Sequence, residues 1–165
     1  MSAARTQEER RAATRAALIA AGRKLFARDG YEAVSSEALV AEAGVTRGAL
    51  YHHFELNYTA IDSESGKRGL FAEVFEQVEA ELVSRFDLSG LDGEQPLDVL
   101  IAAVDQFLDI SLEADVQRIA LLDGPAVLGW EEWYEVETKY GLGLIEGGLR
   151  AAADAGQIKP VPAAE

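Results

Sequence analysis

SSEALVAEAGVTRGALYHHF, residues 35–54, predicts two short helices separated by a glycine turn. Ser35 is expected to cap the first helix, which runs to residue 43, because a serine hydroxyl accepts hydrogen bonds from free first-turn amides. Gly44 supplies the positive φ of a tight turn, and Thr46 caps a second helix that runs to His53. This layout is typical of a helix-turn-helix, whose second helix enters the major groove of DNA.

The outer side of the second helix carries the groups expected to contact DNA. Helical spacing turns Leu50 and Phe54 inward and leaves Arg47, Gly48, Tyr51 and His52 outward. Arginine in the first turn suits base edges or phosphates, and tyrosine and histidine suit phosphates. Helix-glycine-helix corners also occur in all-α proteins that never bind DNA, so the spacing alone leaves both interpretations open.

Three stretches resemble the TetR/AcrR family of bacterial transcriptional regulators. They are AGVTRGALYHHF (43–54), AALIAAGRKLFARDGYEAV (16–34) and KRGLF (67–71), and together they cover roughly the first half of the chain. The resemblance implies a ligand-responsive regulator, most often a repressor, that binds double-stranded operator DNA as a homodimer. It further implies that a small apolar or amphipathic effector releases the DNA by moving the linking helix, so that the two heads no longer match major grooves about 34–36 Å apart.

The fold class implied is all-α, with a three-helix DNA-binding head at 1–54 and a helical effector-binding and dimerisation domain at 67–165. Residues 55–66 are an atypical insertion, because the family normally has two or three residues there. Family members also continue with two more helices after a turn like GQIKP, and the chain is expected to lack them. The residues expected to face DNA are Arg10, Ser35, Ser36, Thr46, Arg47, Gly48, Tyr51, His52 and Lys67.

Charge is divided unevenly along the chain, whose net charge is −14. Residues 1–54 carry eight lysines and arginines against six acids, whereas residues 55–165 carry seven against twenty-three. An acidic body repels DNA everywhere except at the head, which favours oriented binding. Greater solubility explains the same acidic body without any role in DNA binding.

Helical periodicity continues to the end of the chain. Helices are predicted over 6–28, 67–86, from Pro96 to about 112, 116–122 and 130–155, with a break at Gly124-Pro125. Aromatic side chains on these helices are the candidates for an effector pocket, although aromatic stripes are more often plain core. They are Phe71, Phe75, Phe107, Trp130, Trp133 and Tyr140. Nearby acids, among them Glu135 and Glu137, either favour a cationic ligand or form a solvated face.

Composition excludes several functional classes. The chain has no cysteine, which removes disulfides, thiolate zinc sites and cysteine nucleophiles. His52 and His53 are adjacent, so they point about 100° apart and do not form an i, i+4 metal pair. With no catalytic constellation, no cofactor, no membrane span and no signal peptide expected, we predict a cytoplasmic, non-enzymatic protein. A binding or interaction module with DNA affinity lost through the insertion is the alternative.

Overall fold

The computed structural model describes residues 6–54, 65–89 and 93–160, and the described residues form helices and turns without a strand. This confirms the all-α prediction. The helices are α1 (Gln7–Asp29), α2 (Ser36–Ala43), α3 (Arg47–Phe54), α4 (Ser65–Ser84), α5 (Pro96–Ile110), α6 (Gly124–Lys139) and α7 (Gly141–Asp154). A π-helical segment, Val116–Asp123, precedes α6 and is called the π segment below.

Local sequence explains how α1 begins and ends. The Thr6 hydroxyl accepts a hydrogen bond from the Glu9 amide at 3.2 Å, and the Glu9 carboxylate accepts one from the Thr6 amide at 2.7 Å. This reciprocal pair is a capping box, which satisfies two amides of the first turn. Gly30 ends the helix with a φ of 80°. The helix predicted over 6–28 is thereby confirmed.

Helix α4 holds the two halves of the chain together. It packs against α1 and α3 on one side, and against α6 and the π segment on the other. Its buried side chains join one hydrophobic core that also contains Phe26 of α1, Leu50 of α3, Ile119 and Leu128. Both halves of the chain therefore share one core through α4.

Helices α5 and α7 pack mainly against each other. Their contact brings Gly148 of α7 so close to Leu100 that a Cβ atom on the glycine would lie 2.9 Å from the Leu100 side chain. The outer side of α5 remains apolar and exposed at Ile101, Leu108 and, just beyond the helix, Leu112. One side of α5 is therefore covered by α7, and the other side exposes apolar side chains to solvent.

The second half differs from the prediction at two points. Gly124-Pro125 begins α6 directly after the π segment, since proline is tolerated in the first turn of a helix. The kink lies instead at Gly129, which has a φ of 77°. The single helix predicted over 130–155 is divided at Tyr140 into α6 and α7.

The predicted insertion at 55–66 lies mostly outside the described residues, since residues 55–64 are not among them. Its last two residues belong to α4, which begins at Ser65 rather than at Lys67. The glycine-rich turn predicted around 89–93 is likewise described only at its two ends.

Candidate nucleic-acid interface

The turn between α2 and α3 has the geometry that the sequence predicted. Gly44 adopts the left-handed conformation with φ 65° and ψ 33°, and the Val45 amide donates to the Val40 carbonyl at 3.0 Å. The hydroxyl of Ser35 accepts from the Ala38 amide at 3.1 Å, and that of Thr46 accepts from the Ala49 amide at 3.3 Å. Both serine and threonine therefore cap helices, and their hydroxyls are engaged with the backbone.

Arg47 is the most prominent cation of α3, and its guanidinium has two protein partners. One nitrogen donates to the Glu37 carboxylate at 2.8 Å, across the turn from α2. Two others donate to the Tyr51 hydroxyl at 3.1 and 3.3 Å. Both Arg47 and Glu37 remain largely in solvent. The arginine is thus held between the Glu37 carboxylate and the Tyr51 hydroxyl.

The remaining predicted groups of α3 are distributed around its outer side. Gly48 and His52 are exposed, and a Cβ atom on Gly48 would meet only the Thr46 hydroxyl, at 3.9 Å. His53 is half-buried, and burial, followed by the charges of His52, Arg11 and Arg15, lowers its pKa below the ordinary value. Of the α3 side chains, only that of Arg47 carries a permanent positive charge.

The N-terminal half of α1 contributes further cations beside the end of α3. Arg10 is exposed, with its side chain near the Thr6 carbonyl at 3.5 Å. Arg15 lies over the Phe54 ring, 5.4 Å from its centroid, and forms an ion pair with Glu73 of α4 at 2.6 Å. Arg10 therefore lies largely in solvent, whereas Arg15 contacts both α3 and α4.

Two predicted DNA-contacting residues are buried. Ser36 is only 6% exposed and lies in the first turn of α2. Lys67 is 5% exposed, and its ammonium lies over the Tyr31 ring, 4.1 Å from the centroid. Neither side chain is open to solvent in this arrangement. We therefore leave Ser36 and Lys67 out of the interface proposed below.

The start of α4 lies against the end of α3 at very close range. A Cβ atom on Gly69 would be 1.9 Å from the Phe54 carbonyl oxygen, and one on Gly66 would be 3.0 Å from the Tyr51 ring. Only glycine allows so close an approach of the two backbones. The close approach makes Gly69 the point at which α4 fixes the position of α3, a role that the sequence motif did not indicate.

The head, defined as α1–α3, is also attached to the π segment by polar contacts. The Tyr31 amide donates to the Asp123 carboxylate at 2.7 Å, and Arg118 donates to the same carboxylate at 3.2 Å. Arg23 of α1 donates to Asp115 at 2.7 Å. These contacts join the DNA-binding helices to the second half independently of α4.

Two of the predicted pocket aromatics belong to the core. Phe71 is fully buried and makes edge contacts with Phe26 and Tyr31, with ring centroids 5.3 and 5.2 Å apart. It therefore packs toward α1, which removes it from the effector site proposed below. Phe75 is also fully buried, beside Gly124 at the start of α6.

Of the other predicted aromatics, Phe107 lies on α5, and Trp130, Trp133 and Tyr140 lie on α6 or directly after it. Trp130 is 69% exposed and stacks on Tyr134, with centroids 5.4 Å apart. Trp133 is half-buried and, like Phe107, packs against the core. The Tyr140 hydroxyl donates to Glu76 of α4 at 3.2 Å. Trp130 is thus a surface residue in this structure, whereas Trp133 packs on the core and Tyr140 contacts α4.

The sequence interpretation missed the buried carboxyl group of Glu79 and did not predict the half-buried position of Glu137. Glu79 of α4 is 4% exposed, and burial, with a smaller contribution from Glu137, raises its pKa to about 8. Burial also raises the pKa of Glu137 on α6. Glu79 follows Phe75 by one helical turn, and this position on the apolar side of α4 is the signal that could have identified it.

The structure describes residues 6–54, 65–89 and 93–160, and these ranges contain neither a metal site nor a membrane span. No group of three or more His, Cys, Asp or Glu side chains in these ranges has the geometry to hold a metal ion. Within the same ranges, no helix is both long enough and apolar enough to cross a membrane.

Comparisons with known proteins agree with this geometry. Residues 18–55 match the family model "Bacterial regulatory proteins, tetR family", and residues 97–165 match "Tetracyclin repressor-like, C-terminal domain". The chain is 25% identical over 157 residues to the transposon Tn10 TetC protein of Escherichia coli, covering 93% of the chain and 72% of that protein. It is 28% identical over 128 residues to an HTH-type transcriptional repressor of Mycobacterium tuberculosis, covering 78% of the chain and 62% of the repressor.

A solved structure of a TetR-family regulator is also similar to this chain. The crystal structure of a TetR-family transcriptional regulator from Pectobacterium atrosepticum is 32% identical, with a TM-score of 0.65, over 95% of this chain and 75% of that one. Similarity in sequence and in fold therefore extends across both halves of the described helices. The chain belongs to the TetR family of helix-turn-helix transcriptional regulators.

Proposed function

We propose that this regulator is a repressor that binds operator DNA as a homodimer and is released by a small effector bound between α4 and α6. The observation that carries the DNA-binding part is the outer side of α3, where Arg47, Gly48 and His52 are exposed on a helix fixed by its turn and by α4. Arg10 of α1 adds a cation for the phosphate backbone. The interface proposed for DNA consists of Arg10, Thr46, Arg47, Gly48, Tyr51 and His52. Thr46 also caps α3, and Ser35 caps α2.

The release step follows from the position of α4. This helix contacts α3 through Gly69 and faces α6 along its other half, so a ligand that changes the α4–α6 contact also changes the orientation of α3. In a dimer, such a change alters the distance between the two recognition helices. Operator affinity then falls, because both half-sites no longer match the groove spacing.

The proposal is tested by a gel-shift titration of the purified chain against the DNA that flanks its own gene, with size-exclusion chromatography to determine the oligomeric state. Sequence-selective binding by a dimer is expected. A folded protein that binds neither flanking DNA nor any duplex selected from a random pool would contradict the proposed function. That outcome would favour a binding module without DNA affinity.

Replacing Arg47 by alanine is expected to reduce discrimination between operator and mismatched DNA by about 1–3 kcal/mol if the guanidinium reads a base. Fluorescence anisotropy with matched and mismatched duplexes measures the difference. Arg28→Ala is the control, because it removes the same charge from a residue outside the proposed interface. Arg28 lies in the last turn of α1, where it pairs with Asp29. Equal losses for Arg47→Ala and Arg28→Ala on every duplex would show that Arg47 contributes only general charge.

Replacing Glu37 by glutamine is expected to tighten DNA binding by about 2- to 5-fold, because the substitution removes the carboxylate that pairs with Arg47. The affinity is measured by anisotropy at low and at moderate salt. Glu32→Gln is the charge-matched control, since Glu32 is an exposed acid of the same head. An identical gain from Glu32→Gln would mean that net charge alone, and not the release of Arg47, accounts for the effect.

A further inference from the structure

Asp123 connects the second half of the chain to the head. It is the last residue of the π segment and directly precedes α6. Its side chain is 14% exposed, and its carboxylate accepts a hydrogen bond from the Tyr31 amide at 2.7 Å, although the two residues are 92 apart in sequence. The Arg118 guanidinium donates to the same carboxylate oxygen at 3.2 Å. The contact therefore combines a backbone amide of the head with an ion pair of the second half.

An aspartate directly before a helix ordinarily serves that helix. Its carboxylate accepts hydrogen bonds from the free amides of the first turn, which makes aspartate a preferred cap. Asp123 makes no such bond to α6. The carboxylate oxygen is instead engaged by Tyr31 and Arg118. Asp123 thus connects two parts of the chain where its position in the sequence favours a local cap.

The contact reaches the turn between α1 and α2. A Cβ atom on Gly30 would lie 1.9 Å from a guanidinium nitrogen of Arg118, so this side chain packs directly against the backbone of the turn. Tyr31 precedes Ser35, the cap of α2, by only four residues. Because the connection is so short, the hydrogen bond from Tyr31 to Asp123 holds the start of α2 in place.

The head is consequently held at two separate places. Gly69 of α4 lies against the end of α3, and Asp123 holds the turn before α2. A rigid group of helices that is attached at one place can rotate about it, whereas a second attachment prevents that rotation. The orientation of α3 relative to the second half of the chain therefore depends on both attachments.

We propose that Asp123 is a positioning residue for operator binding. Its hydrogen bond with the Tyr31 amide sets the angle of the head, and this angle sets the distance between the two recognition helices of a dimer. The half-site spacing that a dimer binds follows from this distance. Asp123 acts through the head and does not itself contact DNA. This inference rests on the proposed function, in which two heads bind one operator.

The test compares three kinds of duplex by fluorescence anisotropy with the full chain. They are the operator that the wild type selects from a random pool, the same operator with one or two base pairs inserted between its half-sites, and a single half-site. Asp123→Ala is expected to bind the intact operator about 5- to 30-fold more weakly and to lose most of the wild-type preference for the original spacing. Its affinity for the single half-site should change by less than about 2-fold, because the outer side of α3 is unaltered.

Two further substitutions of Asp123 separate geometry from charge. Asp123→Asn keeps an oxygen that accepts from the Tyr31 amide, so its operator affinity is expected to stay within about 3-fold of the wild type. Asp123→Glu keeps the charge, but its longer side chain displaces the carboxylate, so it should weaken operator binding as Asp123→Ala does. Asp105→Ala is the control, because it removes an exposed acid of α5, and it should bind every duplex as the wild type does.

An equal loss of affinity for the half-site and for the intact operator in Asp123→Ala would overturn the inference, and so would an unchanged spacing preference. Circular dichroism and size-exclusion chromatography verify that each variant is a folded dimer, and Asp123→Glu decides the matter if Asp123→Ala does not fold. A wild type that selects no duplex would contradict the proposed function and this inference together. Selective binding by the wild type, with Asp123 variants that bind like Asp105→Ala, would contradict this inference alone.

Discussion

Replacing Gly69 by alanine is expected to abolish specific DNA binding and to destabilise the fold by about 1–3 kcal/mol, the usual range for overpacking. A Cβ atom at this position would lie 1.9 Å from the Phe54 carbonyl oxygen, which is backbone and cannot rotate away. Helix α4 must therefore move away from α3. Urea denaturation measures the free energy of unfolding, and anisotropy measures the DNA affinity of the folded protein.

Gly147→Ala is the matched control for this substitution. Gly147 is an exposed helical glycine of α7, and a Cβ atom there would meet nothing within 4 Å. Alanine is the better helix former, so a gain of up to about 1 kcal/mol is expected with unchanged DNA binding. If Gly69→Ala behaved like Gly147→Ala in both measurements, the close α3–α4 contact could not be what orients the recognition helix.

Replacing Glu79 by glutamine is expected to stabilise the protein by about 2–4 kcal/mol at pH 8, on a scale of 1.36 kcal/mol per pKa unit. Burial raises the pKa of Glu79 from 4.5 in the unfolded chain to about 8 in the folded protein. Between these values the folded state binds the additional proton, so the free energy of unfolding falls as the pH rises. Glutamine cannot ionise and removes this loss.

The pH series is what distinguishes this effect from a simple change in packing. At pH 5 the advantage of Glu79→Gln should shrink to below about 1 kcal/mol. This pH lies only slightly above the pKa of 4.5 in the unfolded chain, so little of the loss of stability has yet accumulated. Urea denaturation at pH 5, 6.5 and 8 gives the comparison, with Glu135→Gln as the exposed control. A stabilisation that is constant across this range would refute the raised pKa.

Features that depend on local sequence were predictable. Gly44, Ser35 and Thr46 act through their own turn and the first turn of the next helix, so their roles follow from residue type and spacing. The same holds for the outward position of Arg47 on α3. The family resemblance then extended these local rules to the arrangement of the head and its linking helix.

Features that depend on the packing between helices were not predictable in this way. The pairing of Arg47 with Glu37 joins residues ten apart and depends on the angle between α2 and α3. The burial of Lys67 depends on the position of Tyr31, which lies in the turn between α1 and α2. The continuous apolar pattern over 130–155 concealed the break at Tyr140, although the glycines that follow, beginning with Gly141, were a signal for it.

The central claim, that α3 reads DNA sequence, is tested most directly by fluorescence anisotropy with one labelled duplex from the DNA flanking the gene and one scrambled duplex of equal length. The wild-type dimer is expected to bind the flanking duplex at least about 10-fold more tightly, and its affinity should fall at least about 10-fold between 50 and 200 mM salt as phosphate contacts are screened. Equal affinity for the two duplexes, or no binding at 50 mM salt by a folded dimer, would contradict the account.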